Sequence, residues 1–337
     1  MQRILNNYDE LQEILQSVNG NILFVHGKSA FKNFSRLSSC LDSVSDKIIH
    51  FTSFTPNPKL EDAKKAAAYF TQKNCVFILG GGGGTTIDVA KYVKLNNPDS
   101  MLVVIPTTAG SGSEATRFAV LYEDGKKLSI TDDKIIPDSV LFDSELLKYL
   151  PDYHRKSSAL DALSHALESF WSVNANESSK IFSREALTNI TRNLANYPDS
   201  YNPDSMLKNA YTAGKAINLA QTTAGHAMCY KITGLYNIAH GHAAALCNRV
   251  LFRWLINKNL PVLHEIADSM GCNTPQEAAE KFNDIFTRLN MAIPQANEQE
   301  INILSESVNP ERLKNFPVQL DSLTIKNLYR EILNNGR

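Results

Sequence analysis

Side chains that could bind a metal ion occur at two places in the second half of the chain. Asp161 and His165 are four residues apart in a segment with a helical pattern, so both would lie on one side of the helix. His226, His240 and His242 fall within 17 residues of an otherwise apolar stretch. Buried histidines need hydrogen-bond partners, and one shared metal ion would satisfy several of them at once. One carboxylate and three imidazoles suit Fe(II) or Zn(II).

The residues alone leave simpler interpretations open. Ser164 and Glu168 share the helix face of Asp161 and His165, and such a face is more often solvated than metal-binding. The three histidines could instead be hydrogen-bonded residues of the core.

Glycine-rich sequence follows the apolar residues 75–79, which predict a buried strand. Gly80 to Gly84 and then Thr85 precede a helical pattern at residues 87–95. Glycines allow close approach of a ligand, and the helix supplies unpaired N–H groups and a positive dipole end. The sequence therefore predicts a phosphate-binding loop, although the spacing is neither that of the Rossmann fingerprint nor that of a Walker loop. A flexible turn is the alternative.

A second polar loop, residues 106–114, follows the next apolar run at residues 101–105. Ligands of open α/β sheets bind at the carboxyl ends of the strands. Two loops on adjacent strands could hold two parts of one extended ligand, whereas the alternative is an ordinary connecting loop.

The elements that must position these residues change character along the chain. Apolar runs that predict strands, at residues 21–25, 47–51, 75–79, 101–105 and 139–142, alternate with helical patterns around 31–41, 62–72 and 87–95. This alternation predicts a parallel sheet with helical crossovers. Residues 118–130 differ, because Asp124 and Gly125 predict a hairpin turn. Helical patterns then dominate from about residue 147. We expect an α/β domain at 1–148 and an all-α domain at 149–337.

Composition excludes several classes of protein. The 337 residues are 43% hydrophobic and 20% charged, with a net charge of -1 and no basic block, so no nucleic-acid partner is expected. No apolar run approaches the length of about 20 residues that a membrane span needs, and none indicates a signal peptide. Five scattered cysteines form no C-x-x-C pair. These features predict a cytoplasmic protein in a reducing compartment.

Four segments together resemble the iron-containing (group III) alcohol dehydrogenase family. They are GGGGTTIDVAK at 81–91, PTTAGSGSEAT at 106–116, DALSHALES at 161–169 and HAMCYKITGLYNIAHG at 226–241. The resemblance extends over nearly the whole chain. It implies a dinucleotide-binding α/β domain followed by an all-helical domain, a fold shared with dehydroquinate synthases, and an active site in the cleft between the domains. It also allows a homodimer, although the sequence indicates no interface.

The resemblance assigns roles to particular residues. The positions that match the cofactor-binding and metal-binding motifs are as follows: Gly82, Gly83, Gly84 and Thr85 for the pyrophosphate loop, Asp88 at the start of the next helix, Thr107, Thr108 and Ser111 for the second nucleotide loop, and Asp161, His165, His226 and His240 for the metal. The metal would polarise a carbonyl group while a nicotinamide supplies hydride.

Three departures from the family pattern affect these expectations. Tyr230 stands where a proton-relay histidine is common, which leaves water, a cofactor hydroxyl or His242 as the proton source. Gly27 replaces an aspartate typical of NAD-preferring members, and Lys28 could meet a 2′-phosphate, so NADPH would be accepted. The short N-terminus is expected to lack the family's first β segment.

A narrower resemblance is to phosphonoacetaldehyde reductases, carried by residues 116–119, 125–127, 162–169 and 240–242. A phosphonate-bearing aldehyde would need cations and fixed donors. The candidates are Arg117, Lys231 and His242, with Tyr230 as a hydroxyl donor, and Lys127 is placed among the cofactor-binding residues. Surface or structural pairing is the alternative for Arg117 and Lys231.

Three further interpretations concern the whole protein. A general short-chain alcohol dehydrogenase would need no phosphonate site. A lyase resembling dehydroquinate synthase would return the hydride within each turnover, but its metal set of glutamate and two histidines differs from the one expected here. An inactive relative is disfavoured because all four ligand positions are filled.

Overall fold

The computed structural model describes residues 2–28 and 35–334, which divide into two compact units, Met1–Leu150 and Pro151–Arg337. None of the helices in these ranges has the length and apolar character needed to cross a membrane. The two units are built differently, as the change of pattern near residue 147 predicts.

The first unit contains a six-stranded parallel sheet with the order β1-β8-β5-β4-β2-β3. Its strands are β1 (Arg3–Leu5), β2 (Asn21–His26), β3 (Ile48–Phe51), β4 (Cys75–Gly82), β5 (Met101–Pro106) and β8 (Ser139–Leu141). The five predicted strands are all present. A short additional strand, Arg3–Leu5, precedes them and pairs in parallel with Ser139–Leu141.

Helices accompany the sheet: α1 (Tyr8–Ser17), α2 (Ser35–Asp42), α3 (Leu60–Gln72) and α4 (Gly84–Asn96). The central strands β4 and β5 are buried along most of their length, which explains their nearly continuous apolar sequence. Phe24, Leu79 and Val103 belong to one core cluster. The helix predicted around residues 31–41 is present from Ser35, and residues 29–34 lie outside the described part of the chain.

The predicted hairpin is formed by β6 (Phe118–Glu123) and β7 (Lys126–Thr131), which pair antiparallel. Asp124 and Gly125 both have positive φ, of 50° and 73°. Positive φ at both central residues is the signature of a type I′ turn, whose twist matches that of the two strands.

The second unit is helical throughout its described residues. Its helices are α5 (Asp152–Trp171), α6 (Glu177–Leu194), α7 (Pro203–Ala220), α8 (Ala224–Tyr236), α9 (His240–Ile256), α10 (Val262–Ser269), α11 (Pro275–Arg288), α12 (Glu298–Glu306), α13 (Pro310–Leu313) and α14 (Ser322–Asn334). Helix α5 is buried on all sides from Ala159 to Trp171 because α6, α7, α9 and α10 pack around it. It is the central element of this unit.

Candidate metal centre and nucleotide loops

The polar face of α5 points into the protein rather than into solvent. Asp161 and His165 are 7% and 5% exposed, and Ser164 and Glu168 are fully buried. The interpretation of this face as solvated is therefore wrong. Buried polar side chains need partners, and those of α5 find several on α8 and α9.

The first turn of α8 and the start of α9 bring two histidines to α5. His226 Nε2 lies 3.4 Å from Asp161 Oδ1, and His240 Nε2 lies 4.0 Å from the same oxygen. The rings of His165 and His226 stack with centroids 4.5 Å apart. Ligand atoms of Asp161, His165 and His226 all lie within 4.8 Å of one another, close enough to bind one metal ion together. The structure thus groups three of the four residues that the family resemblance assigns as ligands, and His240 lies beside them.

Two buried atoms in this cluster fit a cation. Asp161 Oδ1 and His226 Nε2 are inaccessible and make no hydrogen bond among the described residues. Leaving such atoms unsatisfied costs about 1–3 kcal/mol each, and a metal ion bound to both would remove that cost. Burial alone would raise the pKa of Asp161, but His165, His240 and His226 hold it well below its usual value. The donor set therefore fits a divalent metal.

Gly241 allows α9 to begin against α5. A Cβ at this position would lie 2.2 Å from the Ser157 carbonyl oxygen and 2.5 Å from Asp161 Cβ. Any larger residue would push the start of α9, and with it His240, away from Asp161.

Glu168 fixes the orientation of His226. Its Oε1 accepts from His226 Nδ1 at 2.6 Å and from Asn248 Nδ2 at 2.7 Å, while Oε2 accepts from the Thr223 backbone N–H at 2.6 Å and hydroxyl at 2.8 Å. Because Nδ1 of His226 donates to Glu168, the lone pair of the neutral ring is on Nε2, which faces Asp161.

Without a metal ion, the two carboxylates attract a proton to His226, which a bound cation would replace. Burial opposes ionisation of Glu168, yet His226 and the hydrogen bonds from Asn248 and Thr223 lower its pKa to about 2. Burial also opposes protonation of His226, but Glu168 and Asp161 raise its pKa to about 9. The sequence places Glu168 on the same helix face as Asp161 and His165 but gives it no role. Its position three residues after His165 was the feature that could have indicated a contact with the metal cluster.

Tyr230 lies beside the most exposed of the four candidate ligands. Its ring stacks on that of His240, with centroids 5.4 Å apart and an interplanar angle of 18°. Arg312 Nη1 donates a hydrogen bond of 2.9 Å to the Tyr230 hydroxyl. Cys229 Sγ lies 3.6 Å from His240 Nδ1. The sequence predicts Tyr230 as a site residue but not Arg312.

His242 is buried at the other side of the start of α9. Its Nε2 donates to the Ala292 carbonyl at 2.7 Å, and its Nδ1 accepts from the Tyr153 hydroxyl at 3.1 Å. The Tyr153 hydroxyl accepts in turn from the Ala239 backbone N–H. Burial lowers the pKa of His242. Both ring nitrogens have partners, so the geometry favours a structural role for His242 over the predicted roles in proton relay and substrate binding.

The two predicted cations are placed in different units. Lys231 is exposed on α8, next to Tyr230. Arg117 belongs to the first unit, just before β6, and its Nη1 lies 3.4 Å from Asp133 Oδ1. This ion pair corresponds to the surface pairing that was the alternative interpretation of Arg117.

The glycine loop of the first unit packs on the second polar loop. The Thr107 backbone N–H donates to the Gly82 carbonyl. A Cβ at Gly83 would lie 3.2 Å from the Thr108 side chain, and one at Gly84 would lie 2.8 Å from Ser111 Oγ. Helix α4 begins at Gly84, which directs its unpaired N–H groups toward the loop. Glycines at these positions therefore let the two loops approach each other as well as a ligand.

The remaining predicted cofactor residues lie around these loops with different degrees of exposure. Asp88 is buried, where it accepts from Ser113 Oγ at 2.6 Å and from the Val120 N–H at 3.0 Å. Burial raises its pKa, against an opposing effect of Lys91. Its two hydrogen bonds thus connect α4 to the second polar loop and to strand β6 of the hairpin. Thr85 at the start of α4 is partly exposed, and so is Lys127 on β7.

Gly27 and Lys28 follow the carboxyl end of β2, and Lys28 is exposed. Two histidines lie near this strand end, with His26 Nε2 2.9 Å from His50 Nδ1 on β3. Burial lowers the pKa of both imidazoles.

Comparison with known proteins agrees with this architecture. Two family models match the chain: "Iron-containing alcohol dehydrogenase" over residues 4–144, and "Fe-containing alcohol dehydrogenase family, C-terminal" over residues 156–330. The 1,3-propanediol dehydrogenase of Klebsiella pneumoniae is 30% identical over 76% of this chain and 76% of its own length. The phosphonoacetaldehyde reductase of Streptomyces viridochromogenes is 30% identical over 69% of this chain and 64% of its own length.

Solved structures confirm the fold. The sulfoacetaldehyde reductase of Bifidobacterium kashiwanohense, solved in complex with NAD+, superposes with a TM-score of 0.91 over 99% of this chain and 97% of its own, at 23% identity. Matches to three of the curated relatives span 63% to 76% of those proteins' lengths. The parallel α/β unit and the helical unit are those of the predicted fold class, and with both family models matched, the chain belongs to the iron-containing alcohol dehydrogenase family of oxidoreductases.

Proposed function

We propose that the protein catalyses the NAD(P)H-linked reduction of an aldehyde to an alcohol, and the reverse reaction, with a divalent metal ion. Hydride passes from the nicotinamide to the carbonyl carbon and a proton is added to the oxygen, so the aldehyde is reduced as NAD(P)H is oxidised. Asp161, His165, His226 and His240 are the proposed ligands of Fe(II), with Zn(II) as the alternative.

One observation carries the proposal: Asp161 Oδ1 and His226 Nε2 are buried without a hydrogen bond and lie 3.4 Å apart. At 3.4 Å the two atoms are too far apart for a good hydrogen bond to each other, and they have no other partner among the described residues. A divalent cation bound there would act as a Lewis acid toward a carbonyl oxygen. Glu168 keeps the Nε2 lone pair of His226 directed at the cation position.

The first unit is proposed to bind the dinucleotide. Partly exposed Gly83, Gly84 and Thr85 lie at the amino end of α4, where backbone N–H groups and the helix dipole favour a pyrophosphate. Thr107, Thr108 and Ser111 would contact the same ligand, because they belong to the loop that packs on these glycines.

The proposal includes NADPH beside NADH. No carboxylate follows the end of β2, where Gly27 and Lys28 stand. A 2′-phosphate on the adenosine ribose would meet a lysine there instead of a repelling charge.

The proposed substrate is phosphonoacetaldehyde, which would be reduced to 2-hydroxyethylphosphonate. The support is the 30% identity with a phosphonoacetaldehyde reductase and the two cationic side chains predicted from the sequence, Arg117 and Lys231. Plain short-chain aldehydes are the alternative, since a 1,3-propanediol dehydrogenase is equally similar. A homodimer and a cytoplasmic location belong to the same proposal as expectations from the sequence.

The test is oxidation of NADPH and NADH by protein loaded anaerobically with Fe(II), with phosphonoacetaldehyde, propanal and glycolaldehyde as substrates. We expect many turnovers per enzyme and a preference for phosphonoacetaldehyde. Asp161→Asn should reduce both bound iron and kcat by at least about 100-fold, because it removes the one anionic ligand. Asp152→Asn, on the exposed first turn of the same helix, is the matched control and should change neither.

Two results would contradict the proposal. If Asp161→Asn kept the wild-type iron content and turnover, the metal site would not be on α5. Metal-loaded protein that consumes no NAD(P)H with any aldehyde would exclude the reductase activity. That outcome would be compatible with a lyase that returns the hydride within each turnover.

A further inference from the structure

Arg312 is a cation held next to the candidate metal centre. It lies in the short helix α13, which begins after the capping residue Asn309, and its side chain is partly buried. Its Nη1 donates to the Tyr230 hydroxyl at 2.9 Å, and its guanidinium carbon lies 5.1 Å from the centroid of the Tyr230 ring. These two contacts fix the position of a long side chain that would otherwise be mobile.

The same tyrosine connects Arg312 to a proposed metal ligand. The Tyr230 ring stacks on His240, so the guanidinium lies one aromatic ring away from an imidazole of the cluster.

Arg312 has no acidic partner. Across residues 2–28 and 35–334, no carboxylate forms an ion pair with its guanidinium, whereas Lys314, two residues later, pairs with Glu311 at 2.7 Å. A guanidinium has five N–H donors, and the tyrosine hydroxyl accepts from only one nitrogen. The unused donors match the oxygens of a tetrahedral oxyanion, which arginine binds through two parallel hydrogen bonds.

We propose that Arg312 binds the anionic group of an oxyanion-bearing aldehyde, a phosphonate or a sulfonate, while the carbonyl end of that substrate lies at Asp161 and His226. This inference rests on the proposed function and assigns a specificity-determining residue that lies outside the set predicted from the sequence. Lys231 is the neighbouring cation, but it is exposed and lacks the contacts that fix Arg312.

The experiment compares the iron-loaded full chain with Arg312→Gln, using phosphonoacetaldehyde, sulfoacetaldehyde and propanal. The variant should lower the ratio of kcat/KM for the preferred charged aldehyde to kcat/KM for propanal by roughly 10- to 100-fold, the value of a hydrogen bond to a charged group. Most of the effect should be in KM. Arg312→Lys should restore part of the ratio, because it keeps the charge without the paired donors.

A matched control and a binding measurement accompany the kinetics. Lys314→Gln removes a cation two residues away and should leave the ratio unchanged. Methylphosphonate and methylsulfonate, titrated calorimetrically into the metal-loaded protein, report binding without turnover and identify which oxyanion is preferred. Arg312→Gln should abolish the binding of the preferred one.

The outcomes separate this inference from the proposed function. A wild-type preference for a charged aldehyde that persists in Arg312→Gln would overturn the role of Arg312 alone. Equal use of propanal, without binding of either oxyanion, would overturn the anionic substrate class and leave the reductase intact. If no aldehyde is reduced, the binding titration alone decides the role of Arg312. Oxyanion binding that persists in Arg312→Gln would overturn the inference, and binding that is lost in this variant would support it.

Discussion

At the scale of single residues, the candidate centre includes a buried carboxylate, Glu168, that is hydrogen-bonded to one of the proposed ligands. Glu168 accepts hydrogen bonds from Thr223, His226 and Asn248 at distances of 2.6–2.8 Å. A Cβ at Gly225 would come within 2.5 Å of Glu168 and 2.1 Å of Asn248, so this cluster forms only because residue 225 has no side chain. The position of His226 is therefore set by several residues at once.

Replacing Glu168 by glutamine should weaken metal binding by about 10- to 100-fold. The glutamine side chain has no negative charge, and its NH2 group would face the N–H donors of Asn248 and His226 without being able to accept from them. The Kd of Co(II) for the metal-free protein measures this effect through the absorption of the bound ion. Glu185→Gln, on an exposed position of α6, is the control. An unchanged Kd in a folded Glu168→Gln protein would show that the carboxylate does not position His226.

Residue types and spacing indicated a possible metal cluster, and the family resemblance assigned its four candidate ligands, but neither predicted the surroundings of those ligands. Asp161 and His165 are four residues apart on one helix, and this spacing alone places both on one face. The contact of Arg312 with Tyr230 joins residues 82 positions apart. No local pattern encodes such a contact, because it depends on how α13 packs on α8.

At the scale of elements, the two loops at the carboxyl ends of β4 and β5 form one structure. Hydrophobic runs predicted both strands, because a strand buried on two faces is apolar throughout. The sequence did not predict that the glycines also make room for the neighbouring loop, since that requires knowing that β4 and β5 are adjacent in the sheet.

Gly84→Ala should therefore weaken dinucleotide binding without unfolding the protein. The new Cβ would lie 2.8 Å from Ser111 Oγ and 2.9 Å from Ser111 Cβ, so the second loop must move. We expect the Kd of NADH, measured by fluorescence titration, to rise by about 10-fold or more, the cost of about 1.4 kcal/mol. Gly234→Ala on α8 is the control, because a Cβ there meets nothing within 4 Å. An equal Kd for both variants would mean that Ser111 and its loop do not contact the cofactor.

At the scale of the whole molecule, the chain separates its two predicted binding tasks. The nucleotide loops belong to Met1–Leu150, and the metal cluster belongs to Pro151–Arg337. The change from alternating strands and helices to helices alone predicted these two kinds of structure. The short strand Arg3–Leu5 could not be predicted, since three residues carry too little periodicity, and its pairing with Ser139–Leu141 is set by the fold.

This separation predicts that each ligand protects its own segments from hydrogen exchange. A bound metal ion stabilises the conformations in which its ligands lie together, so Fe(II) or Zn(II) should slow exchange in α5 and in the first turns of α8 and α9. NADH should slow exchange at residues 80–88 and 107–113. Asp161→Asn should remove only the first effect and Gly84→Ala only the second. If metal instead protected the glycine loop and left α5 unchanged, the buried Asp161 and His226 atoms, which make no hydrogen bond, would have to be explained without a metal.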